Sequence, residues 1–173
     1  MTLSVEEIVF RTRALAQAHP FTPRAEAYLK ATVAKEQSVQ PAPEIGIWAG
    51  YAIRVGYCLR RVEENDSGKD LGSPSISGAP DDLDELATLI ADRIRGEAAD
   101  ELLLYPEPLV ISALDHIIAG EVDRRLSHGS DEIDQETFGQ LEAYLAWWVI
   151  KGYSLRIAEL VSTGGAREVS ETR

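Results

Sequence analysis

The sequence predicts an all-α fold, a bundle of six helices, from three observations. Apolar residues recur at intervals of three and four along nearly the whole chain, the period of an amphipathic helix. The interruptions fall where Pro, Gly and Ser gather, and capping residues stand at the starts of the segments between them. No stretch alternates apolar and polar residues for long enough to nominate a strand; the nearest, Leu102-Leu103-Leu104-Tyr105, is short and lies beside helical signal.

The first helix opens at Ser4, whose hydroxyl can cap it while Glu7 reaches back, and Val5, Ile8, Val9 and Leu15 form its apolar side until His19-Pro20 ends it. Thr22-Pro23 opens the second: a capping hydroxyl, then a proline whose missing N–H costs nothing at the first helical position. Its stripe is Ala25, Tyr28, Leu29, Thr32 and Val33. Pro41 and Pro43 stop it and launch the third, with Ile47 or Trp48, Tyr51, Ala52, Val55, Leu59 and Val62 facing inward. The segment 66–80, rich in Gly, Ser and Pro, reads as a solvated loop. Asp81 or Asp82 then caps a fourth helix with stripe Leu83, Leu86, Leu89 or Ile90, and Ile94, interrupted near Gly96 with a resumption over 102–104.

Pro106 and Pro108 set up the fifth helix, with Val110, Ala113, Leu114, Ile117, Ile118, Val122 and Leu126 inside and His128-Gly129 as its glycine-type end. The sixth begins among the acids at 131–134 and runs to about Ser162, before Gly164-Gly165, a length of roughly 45 Å at the usual helical rise. Between 144 and 150 it is apolar nearly all round and needs neighbours on every side, so the third and sixth helices are expected at the centre. The organisation expected is one helical domain over 1–163 followed by a flexible tail over 164–173.

A repeated motif raises a further expectation. Gly56-Tyr57-Cys58-Leu59-Arg60-Arg61-Val62-Glu63 matches Gly152-Tyr153-Ser154-Leu155-Arg156-Ile157-Ala158-Glu159 at five of eight positions. Upstream, Pro23 precedes Glu36 by thirteen residues and Pro108 precedes Glu121 by the same distance. These matches nominate two three-helix halves, 1–65 and 81–163, related by a two-fold axis between the third and sixth helices, although short matches also arise by chance in helical sequences of this composition.

Bulk properties bound the function. At 173 residues with 45% hydrophobic content, the chain can bury a core without disulfides or metals. Twenty-nine acids against 17 Lys and Arg give a net charge of -12, which repels nucleic acid and anionic membranes. Arg60-Arg61 is flanked by Glu63 and Glu64, and Arg124-Arg125 by Glu121 and Asp123, so both pairs read as salt-bridged polar faces of helices. The single cysteine, Cys58, sits in an apolar setting and reads as a packed thiol. The segment 1–10 lacks the basic start of a secretory signal, and the longest uncharged run, 143–150, is eight residues against the roughly 20 that span a bilayer. A cytoplasmic protein is expected, with no membrane, nucleic acid, metal or cofactor among its partners.

Glu36 and Glu121 each stand where the next apolar residue of a buried stripe is due. A carboxylate there must be paired, hydrogen-bonded or protonated, which is the raw material of an acid, base or ligand site. The plainer reading is structural: each can reach solvent or an arginine such as Arg60 or Arg156. His116 shares a helical face with Asp123 and lies beside Asp115, but no Glu-x-x-His pair or His pair at i, i+4 marks a metal site. The spacing of Arg13 and His19 resembles the arginine–histidine pair of the helical HEPN nucleases. It falls at the end of the first helix, whereas that family carries the pair late in its bundle, so the activity is not carried over.

Two functions follow as expectations. The first is a non-enzymatic helical protein acting through self-association, as a homodimer, or through another protein, with an aromatic patch of Tyr144, Trp147, Trp148 and Tyr153 as the contact. The alternative is a helical-bundle enzyme or sensor with a small-ligand or metal site near Glu36, Glu121 and His116, with Arg60 and Arg156 as further ligand-binding candidates.

Overall fold

A computed structural model describes residues 3–66, 76, 78–96, 108–126 and 135–171. Six helices account for them: α1 (Val5–Gln17), α2 (Pro23–Val39), α3 (Pro43–Asp66), α4 (Leu83–Arg95), α5 (Pro108–Leu126) and α6 (Gln135–Glu171). No strand occurs among the described residues. The expected resumption at 102–104, the His128-Gly129 end, the capping acids at 131–134 and most of the 66–80 loop lie outside them.

The helix starts follow the capping chemistry. Ser4 Oγ accepts the Glu7 amide at 3.2 Å, Thr22 Oγ1 accepts that of Ala25 at 3.1 Å ahead of Pro23, and Asp82 rather than Asp81 accepts that of Glu85 at 3.0 Å. At the other end of α1, His19 takes a left-handed conformation, φ 51°, ahead of Pro20.

α3 and α6 cross at the centre and are each other's main neighbour; α1 and α2 pack on α3, α4 and α5 on α6, and α1 also meets α5. One hydrophobic core draws on all six helices. α3 buries more than a stripe. Ala49, Ala52, Ile53, Tyr57, Cys58 and Leu59 are all inaccessible, because α1, α2, α5 and α6 surround this helix. Burial pushes the Cys58 thiol up to about 12, consistent with packing rather than reactivity. Of the residues expected to face inward, Ile47 and Tyr51 instead face out, 41% and 44% exposed, and Trp48 takes the inner position.

The far end of α6 also corrects the sequence reading. The helix continues through Gly164-Gly165 to Glu171 instead of ending near Ser162. Two interior glycines cost a helix about 1 kcal/mol each relative to alanine, too little by themselves to stop one this long.

The crossing of α3 and α6 is reciprocal and unusually close. A methyl group built on Gly56 would overlap the Val149 carbonyl, three residues before Gly152; one built on Gly152 would overlap the Ile53 carbonyl, three residues before Gly56. Each glycine of the shared motif thus receives the backbone of the other helix.

Candidate functional site

Beyond the paired glycines, the remaining motif residues knit the two helices together with polar side chains. Tyr57 donates its hydroxyl to Glu159, and Tyr153 donates to Glu63: each tyrosine reaches the glutamate that ends the motif on the other helix. Arg60 Nη1 lies 2.7 Å from Glu63 and donates to Tyr153 at 3.0 Å, with its guanidinium 5.4 Å from that ring. Arg156 stands 3.8 Å from Glu159, donates to Glu64 at 3.0 Å, and lies 5.8 Å from the Tyr57 ring. Thr22 adds its hydroxyl to Glu159, tying the start of α2 to α6.

Arg60 and Arg156 therefore serve this buried network, and neither is the arginine partner that the sequence allowed for Glu36 or Glu121 as an alternative to solvent. Nor is Arg60-Arg61 a polar face, since Arg60 is 3% exposed.

The network makes stability depend on alkaline pH. Burial and the Glu159 carboxylate push the Tyr57 hydroxyl up to about 12, and burial with Glu63 lifts Tyr153 well above its ordinary value. In the unfolded chain tyrosine ionises at about 10, so above that pH the unfolded state holds fewer protons than the folded one and stability falls as pH rises. The contribution is complete below about pH 10 and is lost as pH climbs through the folded value of about 12 for Tyr57. Urea unfolding between pH 9 and 12 is expected to show this decline, and Tyr57→Phe to flatten it; an equally steep decline in Tyr57→Phe would exclude the assignment.

The other sequence candidates are held by separate partners. Glu36, half-buried, accepts from Gln40 Nε2 at 2.9 Å and from the Tyr144 hydroxyl at 2.7 Å. Glu121 is 1% exposed and meets Arg125 at 2.9 Å and Arg124 at 3.5 Å. His116 is exposed and its Nδ1 donates to the Ser112 carbonyl at 2.8 Å. Glu36, Glu121 and His116 therefore do not share a site, and no group of three or more metal-ligating side chains occurs among the described residues.

The aromatic patch is mostly engaged within the chain. Tyr153 is buried, 3% exposed, rather than at a surface. Tyr144 meets Trp148 edge-on at 6.2 Å, and the Trp147 ring has Arg95 at 5.0 Å and the Lys151 ammonium at 5.6 Å.

A different site opens where α1, α3 and α5 meet, around Glu121. A cleft of about 490 Å³ is lined there by Arg13 from α1, Tyr51 and Arg54 from α3, and Glu121, Arg124 and Arg125 from α5. Gly120 makes room for Arg13, since a methyl at that position would collide with the guanidinium. The Tyr51 ring has Arg54 at 5.9 Å and Arg125 at 5.1 Å. Four guanidinium groups and one carboxylate thus line the cleft. Glu121 is committed to the two α5 arginines, and among the described residues neither Arg13 nor Arg54 has a carboxylate at ion-pair distance. The Nε atoms of Arg13, Arg54 and Arg125 are buried without a hydrogen-bond partner among the described residues. Partial burial and the neighbouring Arg124 both press the Arg13 pKa down, with Glu121 opposing them.

No protein-family model, curated protein or solved structure matches the chain. No helix among the described residues is long and apolar enough to cross a membrane.

Of the cleft residues, sequence reasoning singled out Glu121 for a site, took Arg124-Arg125 for a salt-bridged face, and noted the spacing of Arg13 and His19, which also line the cleft, without giving them a site. That pairing exists, but it leaves Arg13 and Arg54 to face the same space. Their positions, 13 and 54, carry no shared spacing in sequence, and only the packing of α1 and α5 on α3 brings them beside Glu121.

Proposed function

We propose that this protein binds a small anionic ligand in the cleft between α1, α3 and α5, as a binding protein or sensor rather than a catalyst. The observation that carries the reading is the convergence of four arginines and one carboxylate in a chain whose net charge is -12. Like charges gathered against the overall balance raise the electrostatic energy of the empty cleft, and an anion relieves it.

A comparison within the chain supports function over packing. In the register of the paired prolines, Gln40 stands where Arg125 does, and it holds Glu36 at the 2.9 Å separation at which Arg125 holds Glu121. In the register of the shared motif, Ile150 stands where Arg54 does. Neutral residues thus fill the corresponding places on α2 and α6. The cleft itself draws on both halves, with Arg13 and Arg54 from the first and Arg124 and Arg125 from the second.

Calorimetric titration of the full chain with pyrophosphate and with citrate at low ionic strength tests the proposal. Binding is expected to weaken with added salt and to fall about tenfold or more in Arg54→Gln, the loss of one charge-assisted contact. Absence of binding by either anion, or binding indifferent to Arg54→Gln, would overturn it.

Self-association is a second reading, favoured by Val39 and Ile47, 62% and 41% exposed where α2 gives way to α3. A second copy covering them would make the protein a homodimer. Light scattering after size exclusion is expected to give a dimer that Ile47→Asp dissociates, and a monomer at every concentration would remove this reading.

A further inference from the structure

Resting on the anion-binding reading above, we infer that the ligand is an amphiphile, an anionic head group on a single aliphatic chain of medium length, with its head at Arg54 and its chain along the groove between α2 and α3.

The arginine cleft does not end at α3. A second groove, of about 270 Å³, runs between α2 and α3, and Tyr51 and Arg54 line both spaces. The walls of this groove are apolar: Leu29, Val33 and Ala34 from α2 face Ile47 from α3. Its floor is closed where the two helices approach at Gly50, since a methyl added there would lie 2.7 Å from Val33. Among the described residues no carboxylate lines it, and Lys30 is its charged member besides Arg54.

The order of residues along α3 sets the polarity of the site. Ile47, Tyr51 and Arg54 follow one another at intervals of four and three, so they share one face of the helix and read apolar, aromatic and cationic in turn. At the usual helical rise they span about 10 Å. An extended aliphatic chain of about eight carbons has that reach. Ile47 and Tyr51 are both exposed, and a chain laid over them takes apolar surface out of water.

Arg54 suits the head group. Among the described residues it has no carboxylate at ion-pair distance, and the ring beside it is Tyr51 at 5.9 Å. Glu121 takes no part in this placement, because it stays with Arg124 and Arg125 on α5. An anion on Arg54 sits where the two spaces join, and its hydrocarbon has the α2–α3 groove to enter. A hydrophilic anion would leave that groove to water, and a neutral hydrocarbon would leave Arg54 unmatched.

Calorimetric titration of the full chain with acetate, butyrate, hexanoate, octanoate and decanoate tests this, beside octyl phosphate, neutral octanol and pyrophosphate. Affinity is expected to rise about threefold per added methylene up to octanoate and then to level off, as burial of hydrocarbon in a groove of this length implies. Octanol should bind about tenfold or more weakly than octanoate, and Arg54→Gln should weaken octanoate by a similar factor while the rise per methylene persists. Ile47→Ser should flatten the rise without weakening pyrophosphate, a division of effects that loss of structure would not produce. Octanoate against octyl phosphate tells a carboxylate head from a phosphate one, and either order supports the inference. Octanoate binding no tighter than acetate, or octanol binding as tightly as octanoate, would overturn it. If pyrophosphate still binds, the anion reading stands, and a dimer that Ile47→Asp dissociates would then assign the groove to a second copy. No binding by any of these anions would overturn both.

Discussion

Gly152→Ala is expected to destabilise the protein by about 3 kcal/mol or more, although alanine is the better helix former by about 1 kcal/mol. The added methyl would overlap the Ile53 carbonyl, and Gly56→Ala would do the same to that of Val149. The obstacle in both cases is backbone, so no side-chain rotation relieves it and the two central helices must separate. Separation loosens the packing of Ile53, Val149 and the other inaccessible residues along the crossing. Gly139, also in α6, has nothing within reach of such a methyl, and Gly139→Ala should stabilise by about 0.5–1 kcal/mol through helix propensity. Urea denaturation of the three variants checks the contrast. Equal effects at 139 and 152 would mean that the helices do not approach as described.

The second large effect is expected at Glu63. Its side chain is 1% exposed and that of Arg60 is 4% exposed, and the two meet at 2.7 Å. A buried pair gains little over apolar packing while intact, but removing one partner leaves a charge in a poorly solvated place at a cost of about 3–5 kcal/mol. Glu63→Ala should fall in that range, and Glu63→Gln should cost nearly as much, since the amide accepts from Tyr153 but does not neutralise Arg60. Glu142→Gln, exposed on α6, should change stability by less than about 0.5 kcal/mol. If Glu63→Gln behaves like Glu142→Gln, Arg60 does not depend on that carboxylate.

How much of this was legible in sequence differs between fold and site. Helix positions were readable because their determinants are local: Ser4, Thr22 and Asp82 cap with the oxygens their side chains carry, and Leu83, Leu86 and Ile90 of α4 and Val110, Ala113, Ile117 and Val122 of α5 are buried as their spacing implies. Period failed on α3, where nearly every face is covered and the choice between Ile47 and Trp48, or the outward turn of Tyr51, depends on which neighbours arrive. Punctuation failed at Gly164-Gly165, which lack the following features that would turn a glycine into a helix end.

The shared motif was visible, and Glu63 and Glu159 were visible as its last letters. What could not be read was that each tyrosine is completed by the other helix, because a hydrogen bond spanning 90 or more residues has no local signature. The arginine cleft was hidden for the same reason, and more deeply, because the overall acidity of the chain argues against anions while four arginines on three helices, two of them on α5, assemble a local exception.

The mutual dependence of α3 and α6 bears on how the chain responds to being cut. Each helix supplies the carboxylate that the other's tyrosine requires and the carbonyl that seats in the other's glycine notch, so severing the backbone between α3 and α4 would remove none of these contacts. The two pieces, each incomplete alone, carry complementary halves of one lock and should reassemble when mixed, as a split protein does.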